Sequence, residues 1–394
     1  MLLATFPTFN IHSTSLLFLV LQGYLFAFLL LKRYVKKRHL ADLFLALLLI
    51  ITGYQRTTYI IGFMGWYDTF RTTKINYILF DLTFIIGPLL YFYVKSLTKS
   101  DFRFRRIDWI HFVPVGLFVC YEAFMWAYDA MQPDFHLAQN GYWMVNIDWM
   151  FVAPFTVLLG FSSQLLYNAF AVQAYWQYRE RIKQHFSNTY KVELNWIRNF
   201  LIAYIILFAL QFIIEVIDSQ IVSLHWTQNW WGHLAGAFVM LYVGIKGYFT
   251  DLSKLYQLTF GIKKEAVVET EEDQQKLEEQ KTELLQYIET SKSYFNPELT
   301  LTELARQMKT STSNLSKVIN AGFHKNFKDF INEYRIEAVK ERLKKGETEQ
   351  FTLLAIAFDC GFNSKATFNR TFKKFTHHTP SQFLATVDKK VTSP

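Results

Sequence analysis

Apolar residues are concentrated in the first part of the chain, whereas the second part alternates apolar and charged positions at helical spacing. A helix needs roughly 20 apolar residues to cross a bilayer. Stretches approaching that length recur near Thr14–Leu31, Leu40–Met64, Ile75–Tyr93, Trp109–Ala127, Trp149–Ala174, Ile197–Val216 and Trp230–Phe249. Residues 261–394 contain no such stretch. We therefore predict an all-α protein in which a polytopic transmembrane bundle of about seven helices precedes a separate domain.

Basic residues predict the orientation of this bundle, because short loops rich in Lys and Arg stay in the cytoplasm. Basic clusters follow the first, third and fifth apolar stretches: Lys32, Arg33, Lys36, Lys37 and Arg38; Lys95, Lys99, Arg103, Arg105 and Arg106; Arg179, Arg181, Lys183 and Lys191. Residues 129–148 and 219–229, on the opposite side, contain neither Lys nor Arg. We predict a multi-pass protein of a bacterial inner membrane, in contact with membrane lipid, with its N-terminus outside and its C-terminal domain in the cytoplasm.

The composition agrees with this division. Of the 394 residues 51% are hydrophobic, yet the mean hydropathy of +0.10 is low for a chain that lies wholly in the membrane. The net charge of +8 favours anionic partners, either lipid headgroups or DNA phosphates. The two cysteines, Cys120 and Cys360, lie in different parts of the chain, so no disulfide is predicted.

Ionisable residues inside spans are costly, and three acids are predicted at helical depth: Asp81, Glu122 and Glu215. They either line a pocket that binds an unknown signal molecule or are paired within the bundle. Arg56 lies nearer the outer end of its span, where internal pairing or snorkelling toward the interface is favoured over a place in the pocket. His233 has no second His four residues away, and neither a metal site nor a cofactor is predicted.

The C-terminal part begins with a helix-turn-helix pattern. Thr300 and Glu303 form a capping-box sequence that opens one helix, and Ser311 follows a short turn as the cap of a second. The second helix is predicted to bury Leu315, Val318 and Ile319. The side chains predicted to face outward, toward base edges and phosphates, are Ser313, Asn314, Ser316, Lys317 and Asn320.

The same pattern recurs further along the chain. Thr352 is a predicted helix cap, Gly361 is suited to a left-handed helix end, and Ser364 caps a second helix buried through three phenylalanines. The predicted outward face of that helix carries Lys365, Asn369, Arg370, Lys373 and Lys374. Such a face predicts salt-dependent binding to phosphates. The amphipathic helix Phe327–Lys344 separates the two units.

This region resembles the AraC/XylS family of bacterial transcription regulators from about Leu277 to Leu384. The resemblance rests on YFNPELTLTELARQM, STSNLSKVIN, FKDFINEYRIEAVKERL and IAFDCGFNSKATFNRTFKKFTHHTPSQF. It implies base contacts from Ser313, Ser316 and Lys317 in the first reading helix, Thr312–Asn320. In the second, Lys365–Phe375, it implies base contacts from Lys365, Ala366 and Asn369, and a backbone contact from Arg370.

The sequence departs from the family pattern at two turns. Lys309 and His377 stand where the family often has glycine.

These features predict a membrane-bound one-component regulator that binds double-stranded DNA in response to a signal. Residues 1–250 form the sensor domain, 251–275 a charged linker and 276–394 the DNA-binding domain. Two alternatives stay open: a transporter or membrane enzyme with a DNA-binding feedback domain, and proteolytic release of the DNA-binding domain near Val267–Gln275. The sequence contains no HExxH, GxSxG or Walker motif, and we predict no enzyme activity.

The connector to the DNA-binding domain has two interpretations. Val267, Leu277, Leu284 and Ile288 form a broken heptad, which suits a homodimer. A plain charged linker is the alternative.

Overall fold

The computed structural model describes residues 6–70, 73–99, 102–133, 135–189, 193–252 and 271–391. The chain groups into two compact units, Met1–Trp176 with Asn195–Gln257 and Gln177–Leu194 with Leu258–Pro394. The described residues contain helices and no β-strand, so the predicted all-α fold is confirmed. The segment Gln177–Leu194, predicted to be a loop of the bundle, instead belongs to the C-terminal unit. The predicted linker lies largely outside the described residues.

The first unit is built from long helices joined by short connections. In chain order they are α1 (Ile11–Lys37), α2 (Leu40–Phe63), α3 (Trp66–Thr69), α4 (Ile75–Ile78), α5 (Thr83–Thr98), α6 (Val113–Ala130), α7 (Ala153–His185), α8 (Asn195–Gln220) and α9 (Trp226–Phe249). A 3₁₀ segment, Arg106–Phe112, precedes α6, and a π-helical segment, Met144–Val152, leads into α7.

Six helical segments among the described residues are long and apolar enough to cross a membrane, one fewer than predicted. Residues 226–249, which contain α9, are not among them, because polar residues near the start of α9 and Lys246 lower its hydropathy. The helix nevertheless runs parallel to α1. The Trp230 indole donates to the His12 carbonyl at 3.0 Å at one end, and Arg33 donates to the Gly247 carbonyl at 3.0 Å at the other.

The predicted third span is interrupted rather than continuous. Residues 79–82 separate α4 from α5, and Asp81 lies in this break, not at helical depth. Its carboxylate accepts hydrogen bonds from the Thr83 backbone N–H at 2.8 Å and the Thr83 hydroxyl at 2.6 Å. A carboxylate in this position satisfies an unpaired amide at the start of α5, which favours ending one helix and beginning another there.

The second unit contains seven further α-helices among its described residues, besides short 3₁₀ and π-helical segments. They are α10 (Glu271–Ser291), α11 (Leu301–Gln307), α12 (Thr312–Lys317), α13 (Phe327–Lys344), α14 (Leu353–Asp359), α15 (Lys365–Thr376) and α16 (Pro380–Val391). Helix α13 has the predicted bounds. Its first half packs into a core with α10, α11 and α12, and its second half packs into a core with α14 and α15.

The apolar positions of α10 do not form a dimerising stripe. Leu284 and Ile288 are fully buried in the first core, and Leu277 packs against it. Val267, the other position of the proposed heptad, lies outside the described residues. The interpretation of this stretch as a dimer seam is therefore wrong for α10, because its apolar residues already contact α11, α12 and α13 within the same chain.

The four predicted cap residues each accept a backbone N–H in the structure, although at Thr300 only this half of the predicted capping box forms. The Thr300 hydroxyl accepts from the Glu303 N–H at 3.1 Å, Ser311 from Asn314 at 3.0 Å, Thr352 from Ala355 at 3.1 Å and Ser364 from Thr367 at 3.5 Å. Gly361 has a φ of +92°, in the left-handed region as predicted. Lys309 and His377 also adopt left-handed conformations, with φ of +55° and +61°, so both turns keep a glycine-like geometry without glycine.

Candidate DNA-binding surface and ligand cavity

Helix α12 presents a smaller polar face than the sequence predicts. Ser313 and Lys317 are exposed, and Asn314 is half-buried with its amide donating to the Thr310 hydroxyl at 3.1 Å. Ser316 is 6% exposed and accepts a hydrogen bond from Asn320 at 3.1 Å, so its predicted base contact is not supported. Ser316 borders the stripe of Leu315 and Ile319 because residues three positions apart share a helix face.

Helix α15 is divided into a buried and a cationic face, as predicted. Phe368 and Phe372 are buried in the core, together with Thr367 and Thr371. All six predicted contact residues of this helix are exposed: Lys365, Ala366, Asn369, Arg370, Lys373 and Lys374. A rigid helix with this division holds its cations in fixed positions toward solvent.

The cations of α15 differ in their partners. Lys374 pairs with Asp329 at 2.7 Å, and Arg370 lies 3.7 Å from Glu193. Lys365 and Lys373 form no ion pair with any described residue. These two lysines therefore present an unneutralised charge, whereas Arg370 and Lys374 would exchange a carboxylate for an incoming phosphate.

Helix α13 holds the two reading helices apart. It is 18 residues long, which corresponds to roughly 27 Å at about 1.5 Å per residue. Arg335 anchors it from within: its guanidinium donates to the Tyr294 and Asn296 carbonyls, both at 2.7 Å. Burial lowers the pKa of Arg335 to about 9, which leaves it charged at neutral pH. Helix α13, which acts as a rigid spacer or strut between the reading helices, is thereby fixed to the turn before α11.

Sequence reasoning missed a segment that contacts this unit from far along the chain. We call Phe186, Ser187, Thr189 and Glu193 the docking segment. The Ser187 N–H and hydroxyl both donate to the Leu299 carbonyl, at 3.3 and 2.7 Å. Lys328 of α13 donates to the Thr189 hydroxyl at 2.6 Å. No local pattern signals these contacts, because the partners are more than 100 residues apart.

The first unit contains a cavity of about 560 Å³, within the 300–1,000 Å³ range of small-molecule sites. Asp81 and Glu215 line it, as the pocket hypothesis expects. Glu122 is not among the lining residues, and its carboxylate accepts from the Asp81 backbone N–H at 2.9 Å. The structure thus brings Asp81 and Glu215 to one cavity, whereas Glu122 contacts the backbone of Asp81.

Arg56 also lines this cavity, which favours the pocket interpretation of this residue over snorkelling. Its guanidinium points into the bundle, where it donates to the His233 carbonyl at 3.2 Å and the Thr52 carbonyl at 2.5 Å. His233 lies over Tyr59 with ring centroids 3.5 Å apart and lines the same cavity. Among the described residues no cluster of His, Cys, Asp and Glu is arranged to hold a metal ion.

Comparison with known proteins gives matches to the C-terminal unit. Residues 304–386 match the model of the helix-turn-helix domain family. Uncharacterized HTH-type transcriptional regulators of Staphylococcus aureus strains MSSA476, N315 and COL are each 41% identical over 90 residues, which cover 23% of this chain and 12% of each relative. No solved structure matches the chain. The chain therefore carries, at its C-terminal end, a helix-turn-helix domain of the AraC type that is similar to those of transcription regulators.

Proposed function

We propose that the chain is a membrane-bound one-component transcription regulator of a bacterial inner membrane. It binds specific sites on double-stranded DNA through α12 and α15, and a signal molecule bound in the helical bundle changes that binding. The observation that carries the proposal is the occurrence of two capped helix-turn-helix units with exposed cations in the same chain as six membrane-length apolar helices.

Different residues of the two reading helices contact bases and phosphates. Lys317, Lys365 and Asn369 reach base edges in the major groove, where Lys suits guanine and Asn suits adenine. Ser313 and Ala366 add smaller contacts, Ala366 through its methyl group. Arg370, Lys373 and Lys374 bind phosphates. A strut of roughly 27 Å suits adjacent major-groove segments, which are about 34 Å apart.

The arrangement of α1 and α9 supports a cytoplasmic DNA-binding domain. Arg33, in the last turns of α1, contacts the C-terminal end of α9, and its guanidinium also pairs with Asp42 at 2.5 Å. Arg33 belongs to the basic cluster that begins in the last turns of α1, and clusters of this kind stay in the cytoplasm. Because α9 extends from the level of His12 to that of Arg33, it crosses the same layer as α1. This supports seven crossings, with the chain leaving α9 on the cytoplasmic side.

The cavity of the first unit is the proposed signal site. Arg56, Asp81 and Glu215 line it, and ionisable residues within a membrane-spanning helix, such as Arg56 and Glu215, commonly mark functional sites. A ligand alters DNA binding only if it binds one packing of the bundle more tightly than another.

DNA binding by the full-length chain in phosphatidylcholine nanodiscs tests this function. Against fragments of the source genome, affinity should fall steeply with salt, because each neutralised phosphate adds about 0.9 to the slope of log affinity against log salt. Lys373→Ala should lower that slope by about one. The control is Lys340→Ala on α13, which pairs with Glu337. Unchanged binding after simultaneous Lys317→Ala, Lys365→Ala and Lys373→Ala would contradict the proposal.

A further inference from the structure

Arg56 is a cation inside the bundle without a counter-ion. Its two hydrogen bonds go to the neutral carbonyls of Thr52 and His233, and no carboxylate of the described residues forms an ion pair with it. A buried charge without an opposite charge is costly. An anion supplied from outside the chain would remove that cost.

The backbone of α9 leaves room for this guanidinium at the cavity wall. A methyl group at Gly236 would collide with the Arg56 guanidinium, and one at Gly232 would lie 2.7 Å from the Gln211 amide oxygen. Arg56, Gln211, Gly232 and Gly236 all line the cavity. Glycine at both positions therefore lets two polar side chains lie against α9 and still face the cavity.

The rest of the cavity is lined by both polar and apolar residues, and many of them are apolar. Its apolar lining includes Phe80, Phe84, Phe161, Leu207, Phe208 and Val239. His233 adds a second polar group, since its buried Nε2 atom has no hydrogen-bond partner within the described part of the chain. Asp81 is held by Thr83 and by Gln55, whose amide lies 3.4 Å from it, so this carboxylate is engaged away from Arg56.

We propose that the cavity binds an amphipathic oxyanion, an acidic headgroup on an apolar body, with the Arg56 guanidinium as the anion-binding group. A planar guanidinium matches the two oxygens of a carboxylate or phosphate. The Phe-rich wall holds the apolar body. The binding site is inferred from the cavity alone. Only the further claim that the bound anion is the signal rests on the proposed function.

Decanoate, decyl phosphate, decanol and decyltrimethylammonium are suitable probes for the full-length chain in phosphatidylcholine nanodiscs. Equilibrium dialysis should give saturable binding of one or both anions, and the comparison of the two separates a carboxylate from a phosphate ligand. Arg56→Gln should weaken anion binding about tenfold or more, since it removes the charged partner of a buried pair. Gly236→Ala should weaken it by displacing the guanidinium, whereas Gly116→Ala, with nothing within 4 Å of the added carbon, is the matched control.

Equal anion binding by Arg56→Gln and the unmodified chain would overturn the site, as would decanol binding as tightly as decanoate. DNA affinity, measured on the same samples, separates this inference from the proposed function. Arg56-dependent anion binding with an unchanged DNA affinity supports the site and contradicts its role as the signal site. Absence of DNA binding contradicts the proposed function alone.

A second inference concerns the docking segment, and different contacts carry it. Glu193 is buried, and its carboxylate lies 3.4 Å from Lys328, 3.7 Å from Arg370 and 3.9 Å from Arg179. Burial lowers the pKa of Lys328, and the Glu193 carboxylate opposes that shift. One carboxylate thus lies within ion-pair distance of cations of α7, α13 and the reading helix α15.

We infer that the docking segment restrains DNA binding, because Glu193 competes with a DNA phosphate for Arg370. The segment directly follows α7 and precedes α8, so a change in the packing of these two helices moves Glu193 without passing through α9. Ser187 holds it in place through Leu299 and through the buried Arg335, whose Nη2 donates to the Ser187 hydroxyl at 3.1 Å.

A double-mutant cycle in the full-length chain tests this contact. Glu193→Gln should raise DNA affinity about two- to fivefold at low salt, the range expected for a modest ion pair whose cation, Arg370, is exposed to solvent. The increase should vanish in the Arg370→Gln background. Glu180→Gln is the matched control, because Glu180 lies on the same helix, α7, and pairs with Lys183.

Hydrogen exchange of the Ser187 amide provides a second measurement that needs no variant. This amide donates to the Leu299 carbonyl, and DNA should increase its exchange rate as the docking segment loosens. The inference is overturned by a Glu193→Gln affinity equal to that of the unmodified chain with no change in Ser187 exchange. It is also overturned by an increase in affinity that persists unchanged in the Arg370→Gln background.

Discussion

Gly361 is the residue whose backbone most strictly requires glycine in the second helix-turn-helix unit. Its φ is +92°, and an added Cβ would lie 2.5 Å from the Tyr294 carbonyl oxygen. That carbonyl accepts a hydrogen bond from the buried Arg335 at 2.7 Å. A side chain at this position therefore strains the turn and also displaces an acceptor on which α13 depends.

Gly361→Ala should destabilise the C-terminal unit by about 2 to 4 kcal/mol, the sum of a left-handed backbone penalty and an overpacking penalty. Gly346→Ala is the matched control: its φ is +78°, but no atom lies within 4 Å of the added carbon. The control should lose only about 1 kcal/mol. Hydrogen exchange of the α13 amides in the full-length chain measures both, and equal losses would contradict the role of the Tyr294 contact.

Lys317 offers a residue-level test of how α12 recognises DNA. It is exposed near the end of α12 and forms no ion pair with a described residue. Lys317→Ala should cost about 1 to 3 kcal/mol on the preferred site and relax selectivity there, because a base contact discriminates between sequences. Binding should be compared on matched DNA fragments that differ at single base pairs. Equal weakening on every fragment would assign Lys317 to the phosphate backbone.

Among the elements, those with strong local signals could be predicted from the sequence. Helix α13 has the predicted bounds, and α15 ends one residue beyond them, because caps and periodic apolar residues specify both. The break at Asp81 could not be predicted from hydropathy, since residues 75–93 are apolar on both sides of it. At this break the Asp81 carboxylate accepts from the first backbone N–H of α5, at Thr83, a contact that periodicity does not encode.

The binding sites were less predictable than the elements. Ser316 carries a suitable side chain but lies beside the buried stripe of α12, so its residue type alone was misleading. Arg56 and Glu193 depend on partners far away in sequence, such as His233 and Arg370. Contacts of this kind arise from tertiary packing, and a single sequence has no local signal for them.

The contact of Arg33 with α2 and α9 makes a testable contribution to the stability of the bundle. Its guanidinium pairs with Asp42, which is 2% exposed, and donates to the Gly247 carbonyl. Arg33→Met should destabilise the first unit by about 3 to 5 kcal/mol, because it leaves a buried carboxylate without its partner. The loss would appear as a lower unfolding temperature in detergent.

Two variants serve as controls for that measurement. Lys36→Met, at an exposed position of the same basic cluster, should have little effect. Arg33→Met combined with Asp42→Leu should recover much of the stability, because both charges are then removed. A double variant as unstable as Arg33→Met alone would contradict the ion-pair explanation.

For the whole molecule, the DNA-binding domain has two routes to the bundle, one covalent and one through hydrogen bonds. The covalent route leaves α9 through residues outside the described ranges, and the other runs through the docking segment between α7 and α8. Proteolysis after α9 would cut the first route but would leave the contacts of Ser187 with Leu299 and Arg335. This favours a regulator that acts while attached to the membrane over one that is released.

The most direct test of a membrane-bound regulator is crosslinking of DNA in intact cells, followed by separation of membrane and soluble fractions. We expect the full-length chain in the membrane fraction to carry a small set of specific DNA fragments. Lys365→Ala combined with Asn369→Ala should remove that enrichment. Specific DNA recovered only with a soluble C-terminal fragment, or no enrichment above background in either fraction, would contradict the account.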